Sequence, residues 1–291
     1  VKGRQQGEIV AIKFDLDATE NRRDLGSTLT HESKMLHYMN MIKPDMDHVP
    51  LLYWYGVIKA EEDDDDSHFP MTTDATKPHP SSLKMTTMVM TYYEMSFCQY
   101  IELMNTKTDK KYIFGKILPQ MVDGLHYIHD IYVIHRDIKP SNYMVKCEGD
   151  LSTARIHLID FGMATFLVDD TTKDVSRVSL DNDKMKEVTT KLLREKRTEL
   201  LGSPNYASIF IHQGYDYEKR DDFISMLYVL LYVMSGNKLP WEGLPVSSLI
   251  SHPGNQERFL RKTKLVASKD PVVRSIISIL QDCYRGILPK T

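Results

Sequence analysis

The order of elements along the chain predicts an α+β protein of two unequal lobes, a small one rich in strands and a larger helical one after it. Three observations predict it. Strand-length runs of β-branched, aromatic and other apolar residues lie at 8–14, 51–58 and 88–93. From residue 113 onward apolar residues recur at helical spacing instead. Phe223 to Met234 is a nearly unbroken apolar run of twelve residues interrupted by Ser225, which reads as a helix buried on every face.

Taken in order, Glu8 to Phe14 (EIVAIKF) reads as a strand that ends near a lysine. A helix follows, capped by Ser27 or Thr30, with Met35, Leu36, Met39 and Ile42 on one face and a stop at Lys43-Pro44. Leu51 to Ile58 and Met88 to Tyr93 read as further strands, separated by an insertion at 60–84 that holds EEDDDD (Glu61 to Asp66) and Pro70, Pro78 and Pro80. Such a composition cannot bury a core. Ile113, Phe114, Ile117, Leu118, Met121, Leu125 and Ile128 form a helical stripe, in which Pro119 predicts either a kink or the first turn. Tyr143 to Val145 and Arg155 to Ile159 read as short strands around a turn at Gly149-Asp150, and Thr165 to Leu201 as a long polar loop. Gly236 fits the end of the apolar helix, and Asp270-Pro271 the start of another that carries Val273, Ile276, Ile277, Leu280 and Tyr284 inward.

Composition excludes several function classes. The 291 residues include 26% charged and 42% hydrophobic side chains, as in a folded globular protein. With 37 Lys and Arg against 40 Asp and Glu, a formal charge of -3 provides no global attraction to nucleic acid or an anionic membrane. The twelve-residue apolar run falls short of the roughly eighteen a membrane span needs, and the first residues show no secretory h-region. Cys98, Cys147 and Cys283 are scattered, which predicts a reducing compartment and buried small apolar side chains.

The chemistry is concentrated in His135 to Asn142, HRDIKPSN, and in Asp160-Phe161-Gly162, which begins eighteen residues beyond Asn142. Transfer of a γ-phosphoryl group needs a carboxylate near the attacking hydroxyl, an amide and a second carboxylate on the metal at the phosphates, and a lysine against developing charge. Asp137, Asn142, Asp160 and Lys139 supply those types in that order. Upstream, Lys13 ends the AIK of the first strand, and Glu32 lies on the apolar face of the following helix, beside Met35, Leu36 and Met39. A carboxylate there needs a cation, and Lys13 is the candidate.

With these motifs the chain resembles the eukaryotic protein kinases, and Tyr206-Ala207-Ser208-Ile209, Lys219-Arg220-Asp221-Asp222, Leu239-Pro240-Trp241, HESK at His31 to Lys34 and IDFGMA at Ile159 to Ala164 resemble their casein kinase 1 group. The resemblance implies the two-lobed kinase fold over 1–291, with a partial N-lobe at 1–91 that includes the 60–84 insertion, a hinge at 92–94 and a C-lobe at 95–291. It implies ATP and Mg²⁺ as cofactors and transfer to Ser or Thr hydroxyls of protein substrates. By that resemblance Asp137, Lys139 and Asn142 are catalytic, Asn142 and Asp160 hold the metal, and Lys13, Glu32, Met90, Tyr92 and Tyr93 form the nucleotide site. Ser203 orients Lys139 and Asp137, though a turn serine before Pro204 would look alike. Asp222 accepts catalytic-loop amides, though a bare N-cap would look alike.

The group favours acidic or primed substrates, which points to Lys191, Arg194, Lys196 and Arg197 as an anion site, despite Asn205 standing where the group has Arg before the tyrosine. No nucleic acid, no membrane partner, a monomer, and a cytoplasmic location with the nucleus also open complete the expectation. Ser176, Ser179, Thr189 and Thr190 are phosphorylatable, with Arg136 as receiver, although the group does not generally require it. His126 and His129, and EEDDDD with His68, read as packing and as a solvated acidic insert rather than as metal sites. No GxGxxG occurs, because no two of the 14 glycines stand at i and i+2, and only twelve residues precede Lys13. Two readings follow: a serine/threonine kinase core short at its front, or a pseudokinase scaffold.

Overall fold

The computed structural model describes residues 9–16, 28–44, 47–59, 84–105, 109–167 and 196–285. Most of the 60–84 insertion, most of the polar loop, Lys191 and Arg194 lie outside them. The small lobe is an antiparallel sheet of β1 (Val10–Leu16), β2 (Leu52–Lys59) and β3 (Lys84–Thr91) in the order β1-β3-β2, packed on helix α1 (Thr28–Ile42). β1 is shifted two residues along from its apolar run, through the polar Asp15 to Leu16, and β3 runs longer than expected, starting at Lys84, because the ladders pair Leu16 with Met85 and Lys59 with Lys84. β3 also ends earlier than expected, at Thr91, which leaves Tyr92 and Tyr93 outside the sheet. Met88 and Met90 of β3 face Met35, Leu36 and Met39 of α1 in one buried cluster. Each such side chain contributes about 1.5–3 kcal/mol by leaving water. α1 stops where expected, before Lys43-Pro44.

The chain crosses into the helical lobe through β4 (Met95–Ser96) and α2 (Phe97–Asn105). α3 (Lys110–Asp130) follows and carries the anticipated stripe, with Ile113, Ile117, Met121, Leu125 and Ile128 buried. Pro119 lies inside α3 rather than in its first turn; the carbonyl that its ring faces, four residues back, belongs to Gly115. β5 (Val133–Ile134) pairs with β8 (Thr165–Phe166), and β6 (Tyr143–Lys146) lies between β4 and β7 (Arg155–Leu158). These short ladders fix both ends of the segments that carry HRD and DFG.

α4 (Ile209–His212), α5 (Lys219–Met234), α6 (Pro253–Thr263) and α7 (Pro271–Tyr284) complete the lobe. α5 is buried on nearly every face, and α3 and α7 pack against it. It begins four residues before the apolar run. Glu218 is its N-cap, with Asp221 reaching back to the Glu218 amide at 2.7 Å. Past its end Gly236 takes a left-handed φ of 75° that an L side chain resists. Asp270 caps α7 by accepting from the Val272 and Val273 amides, and Lys110 joins that cap to the last carbonyl of α5 at 2.9 Å. The three cysteines are free, but none is buried as expected: Cys98 and Cys147 are half-buried, and Cys283 is exposed on the outer side of α7, next to the buried Tyr284.

Candidate active site

Strand β1 and helix α1 bring Lys13 and Glu32 together. Lys13 Nζ donates to Glu32 Oε1 at 2.8 Å and Oε2 at 3.1 Å. Glu32 is 4% exposed, and burial pushes its carboxyl above the ordinary range while Lys13 opposes that shift. The same ammonium lies 4.0 Å from Asp160 Oδ1, so one cation faces the carboxylates of both lobes.

Asp160 follows β7 and has a left-handed backbone, φ 67°. That conformation is costly for a non-glycine residue and is held here by the neighbouring segment. Ile159 donates to the Asn142 carbonyl at 2.8 Å, and the imidazole Nε2 of His135 meets the Ile159 carbonyl at 3.0 Å. After DFG, His31 Nε2 of α1 meets the Ala164 carbonyl at 2.7 Å, tying the helix that holds Glu32 to the segment that holds Asp160.

The HRD loop has its own strut. The carboxylate of Asp222, 1% exposed in α5, accepts from the amides of His135 at 2.8 Å and Arg136 at 3.0 Å and meets His129 Nε2 at 2.9 Å. Asp222 is therefore not the N-cap of α5, as its sequence position allowed; it lies in the first turn and spends both oxygens on the loop. Arg136, whose φ is 68°, sends its Nε to the Met163 carbonyl at 2.7 Å, and burial lowers its affinity for its proton. His126 and His129 both pack edge-on against Phe223, and no cluster of metal-ligating side chains occurs among the described residues.

Asp137, 8% exposed, is gripped on each oxygen. Lys139 Nζ donates to Oδ2 at 2.7 Å, while Ser203 donates to Oδ1 through its amide at 2.9 Å and its hydroxyl at 2.8 Å. Ser203 thus contacts Asp137 through two donors, more than a turn serine requires. Gly202 makes this approach possible: a Cβ there would lie 2.5 Å from the Arg136 carbonyl, and its φ is 78°. Asn142 Nδ2 donates to the Asp137 carbonyl at 2.8 Å, which ties down the amide nitrogen and leaves the oxygen available. An amide oxygen and the Asp160 carboxylate are hard donors of the kind that suit a divalent cation with phosphate oxygens.

At the hinge, Met90 is buried, Tyr92 is 43% exposed, and Tyr93 is buried with its ring 4.5 Å from His157. Burial raises the Tyr93 phenol and lowers His157 to about 4, so both are neutral near pH 7. Of the basic cluster, Arg197 pairs with Asp216, and Lys196 lies 5.6 Å from the Tyr215 ring. Arg194 and Lys191 fall outside the described residues, as do Ser176, Ser179, Thr189 and Thr190. Gly202 and the buried Arg258 and Lys262 beneath the Ser203 loop had no signal in the sequence reading, and His129, read there as packing, also meets Asp222.

Fold and site together define the protein kinase class: a lysine-glutamate pair on the small lobe, a supported catalytic-loop aspartate on the large one, and a DFG aspartate between. The protein kinase domain family matches residues 1–288, and the chain belongs to that family. Among curated proteins it is 35% identical over 127 residues to a probable casein kinase I homolog of Encephalitozoon cuniculi, covering 43% of this chain and 34% of that protein. It is 32% identical over 144 residues to casein kinase I homolog 2 of Saccharomyces cerevisiae, covering 50% of this chain and 22% of that protein. A casein kinase I homolog 2 of Schizosaccharomyces pombe matches at 30% over 129 residues, 44% of this chain and 26% of the relative. The chain thus spans about a third or less of the length of these relatives. The family implies ATP and a divalent metal as cofactors.

Proposed function

We propose that the chain is a serine/threonine kinase core that transfers the γ-phosphoryl group of ATP to Ser or Thr hydroxyls of protein substrates with acidic or primed sites. The observation that carries it is the Asp137 carboxylate, held by Ser203 on one oxygen and by Lys139 on the other, on the loop that also carries Asn142. The substrate hydroxyl attacks γ-phosphorus, the bond to the bridging oxygen of ADP breaks, and Asp137 orients the hydroxyl and accepts its proton. Lys139 lies beside that carboxylate, where it offsets charge developing on the transferred group. Lys13, held by Glu32, contacts the nucleotide phosphates. Mg²⁺, held by Asn142 and Asp160, would neutralise charge on the phosphate oxygens. Met90, Tyr92 and Tyr93 line the adenine side, and Lys196 and Arg197, with Arg194, would receive the anionic side chain of the substrate.

The test is transfer from Mg-ATP to an acidic serine peptide, by the chain as given and by a form extended upstream, with Asp137→Asn as control. Transfer lost in the control supports the reading. No transfer by the extended form refutes it and leaves the pseudokinase scaffold. Reversing Arg194 and Arg197 to Glu should raise KM for a primed peptide more than for an unprimed one; equal effects would remove the anion site.

A further inference from the structure

The inner side of α6 carries Asn255, Arg258 and Lys262, each with 0% exposure. A buried ammonium and a buried guanidinium are expensive unless their donors are satisfied, and no carboxylate among the described residues pairs with either. Burial, and after it the neighbouring Arg258, push Lys262 well below the usual lysine range; against that, its Nζ reaches the carbonyls of Pro204 at 2.9 Å and Ala207 at 2.6 Å and His212 Nε2 at 3.0 Å, one acceptor for each hydrogen of the charged form. The rings of Tyr228 and Trp241 lie 4.8 Å and 5.2 Å from it. His212 must be neutral to accept, and burial together with Lys262 holds it well below the usual imidazole range.

Arg258 grips the same loop one residue along. Its Nε donates to Asn205 Oδ1 at 2.7 Å, and its other nitrogens reach the carbonyls of Pro245 and Leu244. Trp241 Nε1 donates to the Asn205 carbonyl at 2.8 Å. The carbonyls of residues 204, 205 and 207 are therefore all held from beneath. Within the loop, the amides of Tyr206 and Ala207 return to the Ser203 carbonyl at 2.9 Å and 3.0 Å. One end of this tight turn is Ser203 on Asp137, and the other is Ala207 on Lys262.

We propose that Lys262, seconded by Arg258, is a positioning residue for phosphoacceptor engagement, a buried side chain that clamps the Pro204 and Ala207 carbonyls and so fixes Ser203 against Asp137. The assignment rests on the phosphotransfer reading for its kinetic consequence, but the clamp itself has a readout that needs no turnover. Asn205 belongs to the clamp, taking the Arg258 Nε on its side-chain oxygen and the Trp241 indole on its carbonyl.

The experiment compares wild type, Lys262→Met, Lys262→Arg and Asp137→Asn in peptide phosphorylation, Mg-ADP affinity and amide hydrogen exchange over residues 203–211. Lys262→Met should lower kcat/KM for the peptide roughly 100-fold, because a small displacement of a reacting group costs that much, while changing Mg-ADP affinity no more than about twofold. Exchange in 203–211 should quicken, and Lys262→Arg should restore a large part of both. Unchanged kcat/KM and exchange would overturn the proposal. So would peptide turnover and nucleotide binding falling in equal proportion at unchanged exchange, which would mean only less folded protein. If wild type transfers no phosphate, the phosphotransfer reading fails, and the exchange comparison still decides the clamp. Should Lys262→Met not fold, Asn205→Ala removes one loop contact; quickened exchange with roughly tenfold lower peptide kcat/KM supports the clamp, and wild-type behaviour refutes it.

Discussion

Replacing Asp222 by alanine should unfold the helical lobe far more easily than its single side chain suggests. The carboxylate is 1% exposed and serves three donors, the amides of His135 and Arg136 and the imidazole of His129. Alanine leaves the two amides buried without acceptors, and each orphaned donor costs about 1–3 kcal/mol. The sum, about 2–6 kcal/mol before any cavity cost, is a large share of the 5–15 kcal/mol by which domains are stable. Asparagine is the informative intermediate. Asp222 Oδ1 faces the Arg136 amide and Oδ2 faces the His135 amide, so whichever way the side-chain amide turns, one N–H meets another N–H. Asp222→Asn should therefore lose about half as much as Asp222→Ala, about 1–3 kcal/mol. Urea unfolding followed by the fluorescence of Trp241, fully buried near α5, reads the midpoint at constant slope. A loss below about 1 kcal/mol for the alanine variant would refute the view that Asp222 holds the catalytic loop. Equal losses in the two variants would refute the donor count.

Two further predictions test the charges around the site. Glu32→Gln removes the partner of Lys13 but also relieves a carboxylate that burial disfavours; kcat/KM for ATP should fall about ten- to a hundredfold while thermal stability holds or rises, and a parallel loss of both would contradict it. Asp221, pushed up to about 7 by burial from an ordinary 3.8, binds its proton more tightly folded than unfolded. Its contribution to stability is therefore full below about pH 4, lost as pH rises through about 7 and flat above, a change on the order of 4 kcal/mol. Asp221→Asn should flatten that part of the urea-midpoint profile between pH 5 and 8, and an unchanged slope would assign it to other groups.

What could be read from the chain follows how local the determining forces are. The HRD and DFG residues were legible because short turns place them: Asn142 binds the carbonyl of Asp137, five residues away. Glu32 was legible as an acid on an apolar face, which only a nearby cation makes tolerable. Asp222 and Ser203 were not decidable from sequence, since an N-cap aspartate and a turn serine have the same local appearance. Their partners lie 87 and 66 residues away, and only the packed lobe brings them within 3.0 Å. Pro119 marks the same boundary from the other side, for a local rule allowed it the first turn and packing of the stripe around it kept the helix going.

α6 was missed altogether, for a different reason. Apolar periodicity finds helices whose inner face is greasy, whereas the buried positions of α6 are Gly254, Asn255, Arg258 and Lys262 and its apolar Leu260 is 45% exposed. The inversion is intelligible once the neighbour is known. The segment above it turns the carbonyls of Pro204, Asn205 and Ala207 inward, and an apolar face would leave the Pro204 and Ala207 oxygens unpaired at a cost comparable to losing each hydrogen bond outright. Cations that reach several carbonyls each are one solution available to a helix, since no backbone donor projects sideways from it. A lysine and an arginine four residues apart on one face lie one above the other, as Arg258 and Lys262 do, and that spacing on an otherwise polar helix is the only trace the arrangement leaves in the sequence. It looks the same as a solvated basic stripe, and the difference between the two lies entirely in what the chain fifty residues earlier presents to it.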